Sequence, residues 1–136
     1  MLTHSLERPV RWSECDKAGI LYGPLIYTWF DEALESLFRS IGHDWRETFG
    51  KSGHLGMPLL ESGCRFLSPM AHGETVRVTA SIKEVGRSSV RVEYEVKKGE
   101  TLSVTGYEIR VLVGQEAAGA IRSSPIPDAI RQKLIG

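Results

Sequence analysis

Apolar residues along this chain follow two different spacings, which predict one long helix and a set of strands. Between Pro24 and Ile41, apolar side chains recur every three or four residues, the spacing of one face of an α-helix. Pro24 suits the first helical position, where its missing N–H is not needed, and Gly42 is suited to end the helix. The pattern therefore predicts a long, largely buried helix.

Other segments alternate between apolar and polar residues, as strands with one buried face do. The strands predicted in this way are Leu6–Trp12, Leu55–Leu67, Thr75–Glu84, Val90–Val96 and Thr101–Val113. Pro9 places the first of them at a sheet edge or a strand end. The alternation in the last strand slips by one residue at Gly106, which predicts a β-bulge there. Short helices are predicted at Trp45–Phe49 and Ser124–Leu134.

The order of these elements favours an α+β architecture. A single helix this apolar needs a sheet curved around it, so we expect the four strands that follow it to form an antiparallel meander over it. The other face of the sheet is then either solvated or covered by a second subunit. Because the chain has 136 residues and no linker-like tract, we expect one domain over residues 1–136.

Charge and composition exclude several classes of protein. The chain has 17 Lys and Arg against 17 Asp and Glu, so its net charge does not indicate a nucleic-acid-binding protein. Its two cysteines have no CxxC partner and no histidine at zinc-ligand spacing, which argues against a disulfide framework or a structural zinc site. The N-terminus lacks the apolar core of a signal peptide, and no apolar run approaches the roughly 20 residues of a membrane span. We therefore expect a cytoplasmic protein with no membrane partner.

The densest group of polar residues lies directly before the long helix, in Trp12–Pro24. A helix N-terminus offers unbonded N–H groups and a partial positive charge, which can polarise a carbonyl group as an oxyanion hole does. Asp16 can fold back beside this end and supply a nucleophile or a base. From spacing alone, Asp16 also fits a simple cap of the helix or of a turn.

This segment resembles the signature of the 4-hydroxybenzoyl-CoA thioesterase family of hotdog-fold proteins. The residues that match are Asp16, Gly19, Tyr22 and Pro24, followed by Trp29 and Asp31, with weaker matches in the same order from Gly42 to Pro127. The resemblance implies a hotdog fold, an antiparallel sheet wrapped around one long central helix. It also implies hydrolysis of an acyl-CoA thioester at a subunit interface of a homodimer or homotetramer. CoA would be part of the substrate, and no metal or redox cofactor is expected.

The resemblance assigns roles position by position. Asp16 matches the catalytic aspartate, which acts as a nucleophile or as a base for water, and the N–H of Gly23 matches the amide that contacts the thioester carbonyl. Asp31 matches a position near the aromatic ring of hydroxybenzoyl substrates, although it also fits an ordinary polar helix position. The closest aroyl-CoA members of the family usually have an aromatic residue directly before the proline of the motif, where this chain has Gly23. Tyr22 is therefore expected to supply an aromatic wall. Trp29 is likewise expected to bind the substrate.

The phosphates of CoA need basic partners, and two segments can supply them. Arg87, Ser88 and Ser89 lie at a predicted turn between strands, and Arg122 precedes the last helix. An arginine fork and the N–H groups of a turn both suit phosphate. Each of these residues also fits an ordinary solvated surface position.

Several alternatives remain open from the sequence. Glu61 could act as a second carboxylate that faces the helix, although the Asp16 motif is the better match. The predicted function is hydrolysis of an acyl-CoA thioester, with an aromatic acyl group such as 4-hydroxybenzoyl. The alternatives are a thioesterase for fatty acyl-CoA or acyl carrier protein, and a non-catalytic module that binds acyl-CoA.

Overall fold

The computed structural model describes residues 1–50, 53–115 and 119–136. Its strands are β1 (Thr3–Pro9), β2 (His54–Gly56), β3 (Leu59–Phe66), β4 (Thr75–Val85), β5 (Ser89–Lys98), β6 (Thr101–Val111), β7 (Val113–Gln115) and β8 (Ile121–Ser123). Its helices are α1 (Ile26–Ser40), α2 (Trp45–Gly50) and α3 (Asp128–Ile135). Short 3-10 turns at Trp12–Glu14 and Gly23–Leu25 precede α1.

The main sheet has the strand order β1-β4-β5-β6-β3, and each neighbouring pair is antiparallel. The small strands β2, β7 and β8 form a second sheet. Alternate residues of β4 and β5 form the inward face and are buried in the same core as α1: Val76, Val78, Ala80, Ile82, Val90, Val92, Tyr94 and Val96. The predicted α+β hotdog architecture, an antiparallel sheet around one long central helix, is therefore confirmed.

Helix α1 forms the centre of the core. Its inward residues are at most 3% exposed: Ile26, Trp29, Phe30, Ala33, Leu34, Leu37 and Phe38. Burial of a large apolar side chain contributes about 1.5–3 kcal/mol, so this face stabilises the fold strongly. Pro24 lies in the turn that leads into the helix, and Gly42 follows the helix with a φ of 84°, a conformation that glycine adopts without strain. No helix in the described parts of the chain is both long and apolar enough to cross a membrane.

The structure corrects the predicted strands in several places. The first strand ends at Pro9 instead of Trp12, because the chain enters a 3-10 turn there. The predicted strand Leu55–Leu67 is divided into β2 and β3 at Met57 and Pro58, where proline has no N–H to donate to a ladder. Strand β3 then pairs with β6 instead of β4, so the four strands do not form a simple meander.

The predicted bulge at Gly106 is wrong. Gly106 pairs regularly with Tyr94 on one side and with Cys64 on the other, and the register shift between β5 and β6 falls at Ser103. A Cβ atom at Gly106 would lie 2.7 Å from the ring of Phe30. The glycine therefore allows α1 to approach the sheet closely.

Beyond Gly106, the inward positions of β6 are polar. Glu108 is fully buried and Arg110 is 8% exposed, both beneath α1. The apolar residues between and beside them, Tyr107, Ile109 and Val111, take the outer face by strand alternation and are half-buried. The core of this fold thus contains a pair of charges whose partners are described below.

Candidate active site

The segment between β1 and α1 folds back on itself, and Asp16 lies at its tip. The N–H of Tyr22 donates to the carbonyl of Glu14 at 2.8 Å, and the N–H of Asp16 donates to the carbonyl of Ile20 at 2.9 Å. The N–H of Gly19 closes the tip with a 3.0 Å bond to the carbonyl of Asp16. These bonds fix Asp16 relative to the residues that start the helix.

The carboxylate of Asp16 is exposed, and only one of its two oxygens accepts a hydrogen bond from the part of the chain that the structure describes. Its Oδ1 accepts the N–H of Ala18 at 2.9 Å, so the turn-capping role that the spacing suggested is present. No donor among the described residues bonds its Oδ2 atom. Half of the carboxylate is therefore available to a bound molecule.

The turn that starts the helix presents one backbone N–H group without an acceptor in the described structure, that of Gly23. Pro24 has no N–H, the N–H of Leu25 donates to the carbonyl of Tyr22 at 2.9 Å, and the N–H of Ile26 donates within the turn. Within the described chain, the N–H of Gly23 has no acceptor. The positive end of the helix adds to the attraction of this amide for a carbonyl oxygen.

Asp16 and Gly23 lie on the two limbs of this loop. The N–H of Asp16 bonds to the carbonyl of Ile20 across the loop, and Gly23 follows three residues later on the returning limb. Phe66, at the end of β3, forms a wall beside Gly23. A Cβ atom at Gly23 would lie 3.6 Å from the Phe66 ring, which is 50% exposed.

A groove of about 350 Å³ opens beside Gly23. Its lining comes from the Asp16 loop and from the end of β3 with the segment behind it: Ile20, Leu21, Gly23, Phe66, Leu67, Ser68, Pro69 and Met70. Phe66 and the residues after it were not predicted from the sequence. A strand end and its following loop carry no pattern that indicates contact with a distant helix start.

The two aromatic candidates lie in different environments. Tyr22 is 54% exposed next to Gly23, where a ligand can reach it. Trp29 is fully buried, its indole N–H donates to the Glu14 carboxylate at 2.8 Å, and the guanidinium of Arg8 lies 4.4 Å from its ring centre. Trp29 therefore belongs to the core and has no surface left for a substrate.

Asp31 lies at the edge of a buried group of charges. Arg110 donates to Asp31, to both carboxylate oxygens of Glu108 at 3.1 and 3.3 Å, and to the carbonyl of Met57 at 2.9 Å. The hydroxyl of Tyr94 donates to Glu108 at 2.7 Å. Burial opposes the charged form of Arg110, but the hydrogen bonds and charges of Glu108 and Asp31 outweigh it and raise the pKa of Arg110. Burial, followed by the charge of Glu108, raises the pKa of Tyr94.

This arrangement gives Asp31 a defined orientation. Its side chain is paired with Arg110 yet remains 57% exposed, so it can still accept a hydrogen bond from a ligand. A buried charge pair of this kind is tolerated only when its members are well bonded, as Glu108 and Arg110 are. Asp31 was predicted from the sequence, but its partner Arg110, which lies 79 residues away, was not.

The predicted phosphate-binding residues are brought together, but at the other end of the sheet. The N–H of Ile126 donates to the carbonyl of Arg87 at 2.8 Å, which joins the turn with Ser88 and Ser89 to the segment after Arg122. Arg87 and Arg122 are both exposed.

The strand register shows how far this end lies from Gly23. Phe66 pairs with Val104 and Ser89 pairs with Val111, seven residues further along β6. At about 3.3 Å per residue this separation is about 23 Å. The predicted phosphate contacts and Asp16 are therefore not neighbours within one subunit.

Glu61 does not face the helix, which corrects that alternative. The hydroxyl of Tyr107 on the outer face donates to Glu61 at 2.7 Å, and this bond raises the pKa of Tyr107. A register shift between Leu59 and Glu61 precedes this position. Within the described ranges, no group of three or more His, Cys, Asp and Glu side chains could hold a metal ion.

Comparisons with known proteins give a consistent picture. A family model described as the thioesterase superfamily matches residues 18–105. A 1,4-dihydroxy-2-naphthoyl-CoA hydrolase from Synechococcus elongatus is 21% identical over 134 residues, which cover 98% of this chain and 96% of that protein. The solved 4-hydroxybenzoyl CoA thioesterase from Pseudomonas sp. strain CBS-3 aligns with a TM-score of 0.84 and 25% identity over 95% of this chain and 97% of that one. A solved gentisyl-coenzyme A thioesterase aligns with a TM-score of 0.84 and 28% identity, over 96% of this chain and 98% of that one.

Proposed function

Because the chain belongs to the thioesterase superfamily and is an acyl-CoA thioesterase, we propose that its substrate is an aromatic acyl-CoA of the 4-hydroxybenzoyl-CoA type. The products are the free acid and CoA, and Asp16 carries the reaction. One observation supports this most strongly. One loop holds both the Asp16 carboxylate, which has one oxygen without a donor in the described ranges, and the Gly23 amide, which has no acceptor there and lies beside an open groove.

The chemistry follows from these two groups. The N–H of Gly23, with the helix end behind it, donates to the thioester carbonyl oxygen and stabilises the negative charge that develops there. In one route, the Asp16 carboxylate bonds to the carbonyl carbon, the C–S bond breaks and CoA leaves as a thiolate; water then hydrolyses the mixed anhydride. In the other route, Asp16 takes a proton from water as the water oxygen attacks, and the departing thiolate receives that proton.

Several features support an aromatic acyl group that carries a hydroxyl. Tyr22 and Phe66 are half-exposed aromatic side chains beside Gly23. Asp31 lies eight residues further along the helix, about 12 Å at about 1.5 Å per residue, and helical side chains lean back towards the N-terminus. A ring between these points can offer its hydroxyl to the Asp31 carboxylate. The related proteins are named for dihydroxynaphthoyl, hydroxybenzoyl and gentisyl thioesters, each a hydroxylated aromatic acyl group.

We also propose a homodimer, or a homotetramer built from it, through the open edge of β3. In the described chain no strand pairs with this edge, although apolar side chains along and beyond it are exposed. They are Leu59 (43%), Leu60 (66%), Phe66 (50%) and Leu67 (54%). An unpaired edge with apolar side chains is a template for pairing with a second chain.

Such a dimer would complete the site. Antiparallel pairing of two β3 strands about a two-fold axis places the Leu59 end of one beside the Phe66 end of the other. Arg87 of the partner subunit then lies on the same side as Gly23, whereas Arg87 of the same subunit is about 23 Å along the sheet. The CoA phosphates would thus meet Arg87, Ser88, Ser89 and Arg122 of the partner subunit.

The substrate proposal is tested by the release of free CoA from a panel of thioesters. The panel is 4-hydroxybenzoyl-, 1,4-dihydroxy-2-naphthoyl-, benzoyl- and palmitoyl-CoA. We expect the highest kcat/KM with a hydroxylated aromatic member of the panel. In Asp31→Asn, the ratio of kcat/KM for that thioester to kcat/KM for benzoyl-CoA should fall at least about tenfold. A preference for palmitoyl-CoA would replace the aromatic proposal with fatty acyl hydrolysis. Binding of these thioesters without any release of CoA would indicate a non-catalytic module.

A further inference from the structure

Glu14, two residues before Asp16, has a carboxylate that receives four hydrogen bonds. Its Oε1 accepts from Arg8 Nη1 at 3.0 Å and from the N–H of Arg11 at 2.9 Å. Its Oε2 accepts from Arg8 Nη2 and from Trp29 Nε1, both at 2.8 Å. When both oxygens of a carboxylate accept two hydrogen bonds each, little capacity is left to contact a substrate. The Glu14 carboxylate is therefore suited to hold other groups in place.

The four donors come from different parts of the fold. Arg8 lies in β1 and is 4% exposed, and its Nε also donates to Glu32 on α1 at 3.0 Å. Trp29 is fully buried on α1, and Arg11 lies in the connection that leads to the Asp16 loop. Glu14 therefore joins β1, α1 and the catalytic loop at one point.

The backbone of Glu14 fixes the loop a second time. Its carbonyl accepts the N–H of Tyr22, the residue directly before Gly23, at 2.8 Å. The returning limb has other anchors, because Leu21 donates to the carbonyl of Met70 and Gly19 accepts from the N–H of His72, both at 2.9 Å. On the limb that carries Asp16, the side-chain bonds to β1 and α1 are those of Glu14.

We propose that Glu14 is a positioning residue for the hydrolysis, which holds Asp16 at a fixed place relative to the Gly23 amide. The inference rests on the proposed catalytic role of Asp16. Small displacements of a reacting group are costly, since about 1 Å of misplacement can lower a rate about 100-fold. Glu14 achieves the placement through a bidentate ion pair with a buried arginine, a geometry that restricts both partners.

The test uses Glu14→Gln and the milder Trp29→Phe, which keeps an aromatic ring in the core and removes one donor. With 4-hydroxybenzoyl-CoA, or the panel member with the highest kcat/KM, we expect kcat to fall about 10- to 100-fold in Glu14→Gln and about two- to tenfold in Trp29→Phe. KM should change less than threefold in both. Leu134→Ala, a fully buried residue of α3, is the control that lowers the Tm and leaves kcat unchanged.

A second comparison separates positioning from general destabilisation. If Glu14 acts through Asp16, Glu14→Gln should have no further effect on the residual rate of Asp16→Asn. Wild-type kcat in Glu14→Gln, a multiplied loss in the double variant, or an equal loss of kcat in Leu134→Ala would each overturn the inference. If Glu14→Gln fails to fold, an unchanged kcat in Trp29→Phe overturns it. Full activity of Asp16→Asn would instead overturn the proposed function.

Discussion

At the scale of single residues, two acidic side chains of one loop differ in how many hydrogen bonds they receive. Glu14 accepts four, from Arg8, Arg11 and Trp29, whereas Asp16 accepts one from Ala18. A carboxylate with both oxygens hydrogen-bonded is held in one place, whereas a carboxylate with one oxygen free of donors can react. Burial alone would raise the pKa of Glu14, but the bonds from Arg8, Trp29 and the Arg11 N–H outweigh it and lower this pKa.

The lowered pKa of Glu14 predicts a pH dependence of stability. A carboxylate whose pKa is lower in the folded state stabilises the fold above its ordinary value of 4.5, and this contribution is lost as the pH falls through the folded pKa. The free energy of unfolding of the wild type should therefore exceed that of Glu14→Gln most at pH 7. The excess should shrink as the pH falls below 4.5. Urea unfolding of both proteins from pH 7 to pH 3 measures it, and a constant difference would contradict the account.

At the scale of elements, a close contact joins α1 to β6. The ring of Phe30 stacks on Tyr94 with 4.2 Å between ring centres, and it lies over Gly106, where even a Cβ atom would come within 2.7 Å. Next to this contact, Arg110 ties α1 to the sheet through Asp31. The helix is therefore placed by a close apolar contact and by a charge pair.

Gly106→Ala tests the close contact. The added methyl group meets the Phe30 ring and also the carbonyl of Gly63 at 3.2 Å, so we expect a loss of about 1–3 kcal/mol in the free energy of unfolding. Phe30→Leu should recover part of that loss when it is combined with Gly106→Ala. A double-mutant cycle by urea unfolding measures this coupling. Additive effects of the two substitutions would show that the ring and the glycine are independent.

Predictability from sequence also differs from element to element. Helix α1 was predicted because its apolar spacing extends over four turns, and the Asp16 and Gly23 pair because local motif residues carry it. Phe66 and Arg110 were missed because their roles depend on contacts far along the chain; Arg110 lies 79 residues from Asp31. The sequence predicts a bulge at Gly106 because a glycine is typical both of bulges and of close approaches, and the alternation of side chains does not distinguish the two.

At the scale of the whole molecule, the two ends of the sheet carry different parts of the proposed chemistry. Asp16 and Gly23 lie near the Phe66 end, and Arg87 lies near the end where Ser89 pairs with Val111. One subunit keeps these groups about 23 Å apart, and the proposed two-fold pairing of β3 edges would bring them to one side. We therefore expect the activity to depend on the oligomeric state.

A charge on the open edge should separate the subunits. Leu60 is 66% exposed on β3, and a lysine there opposes pairing of the edge with a second chain. We expect Leu60→Lys to shift the protein to a monomer in sedimentation velocity and to raise KM for acyl-CoA at least about tenfold. Ile135→Lys, at an apolar α3 position that is 45% exposed, is the matched control and should change neither. A Leu60→Lys dimer with unchanged KM would argue for a different interface.

The most direct measurement compares CoA release and substrate binding in Asp16→Asn and the wild type. Asparagine keeps the size of the side chain and an oxygen for the Ala18 N–H, but it removes the charge that is proposed to attack the thioester or to take a proton from water. We predict that kcat falls at least about 100-fold, while the Kd for 4-hydroxybenzoyl-CoA and the Tm change little. A variant that releases CoA at the wild-type rate would contradict the central claim.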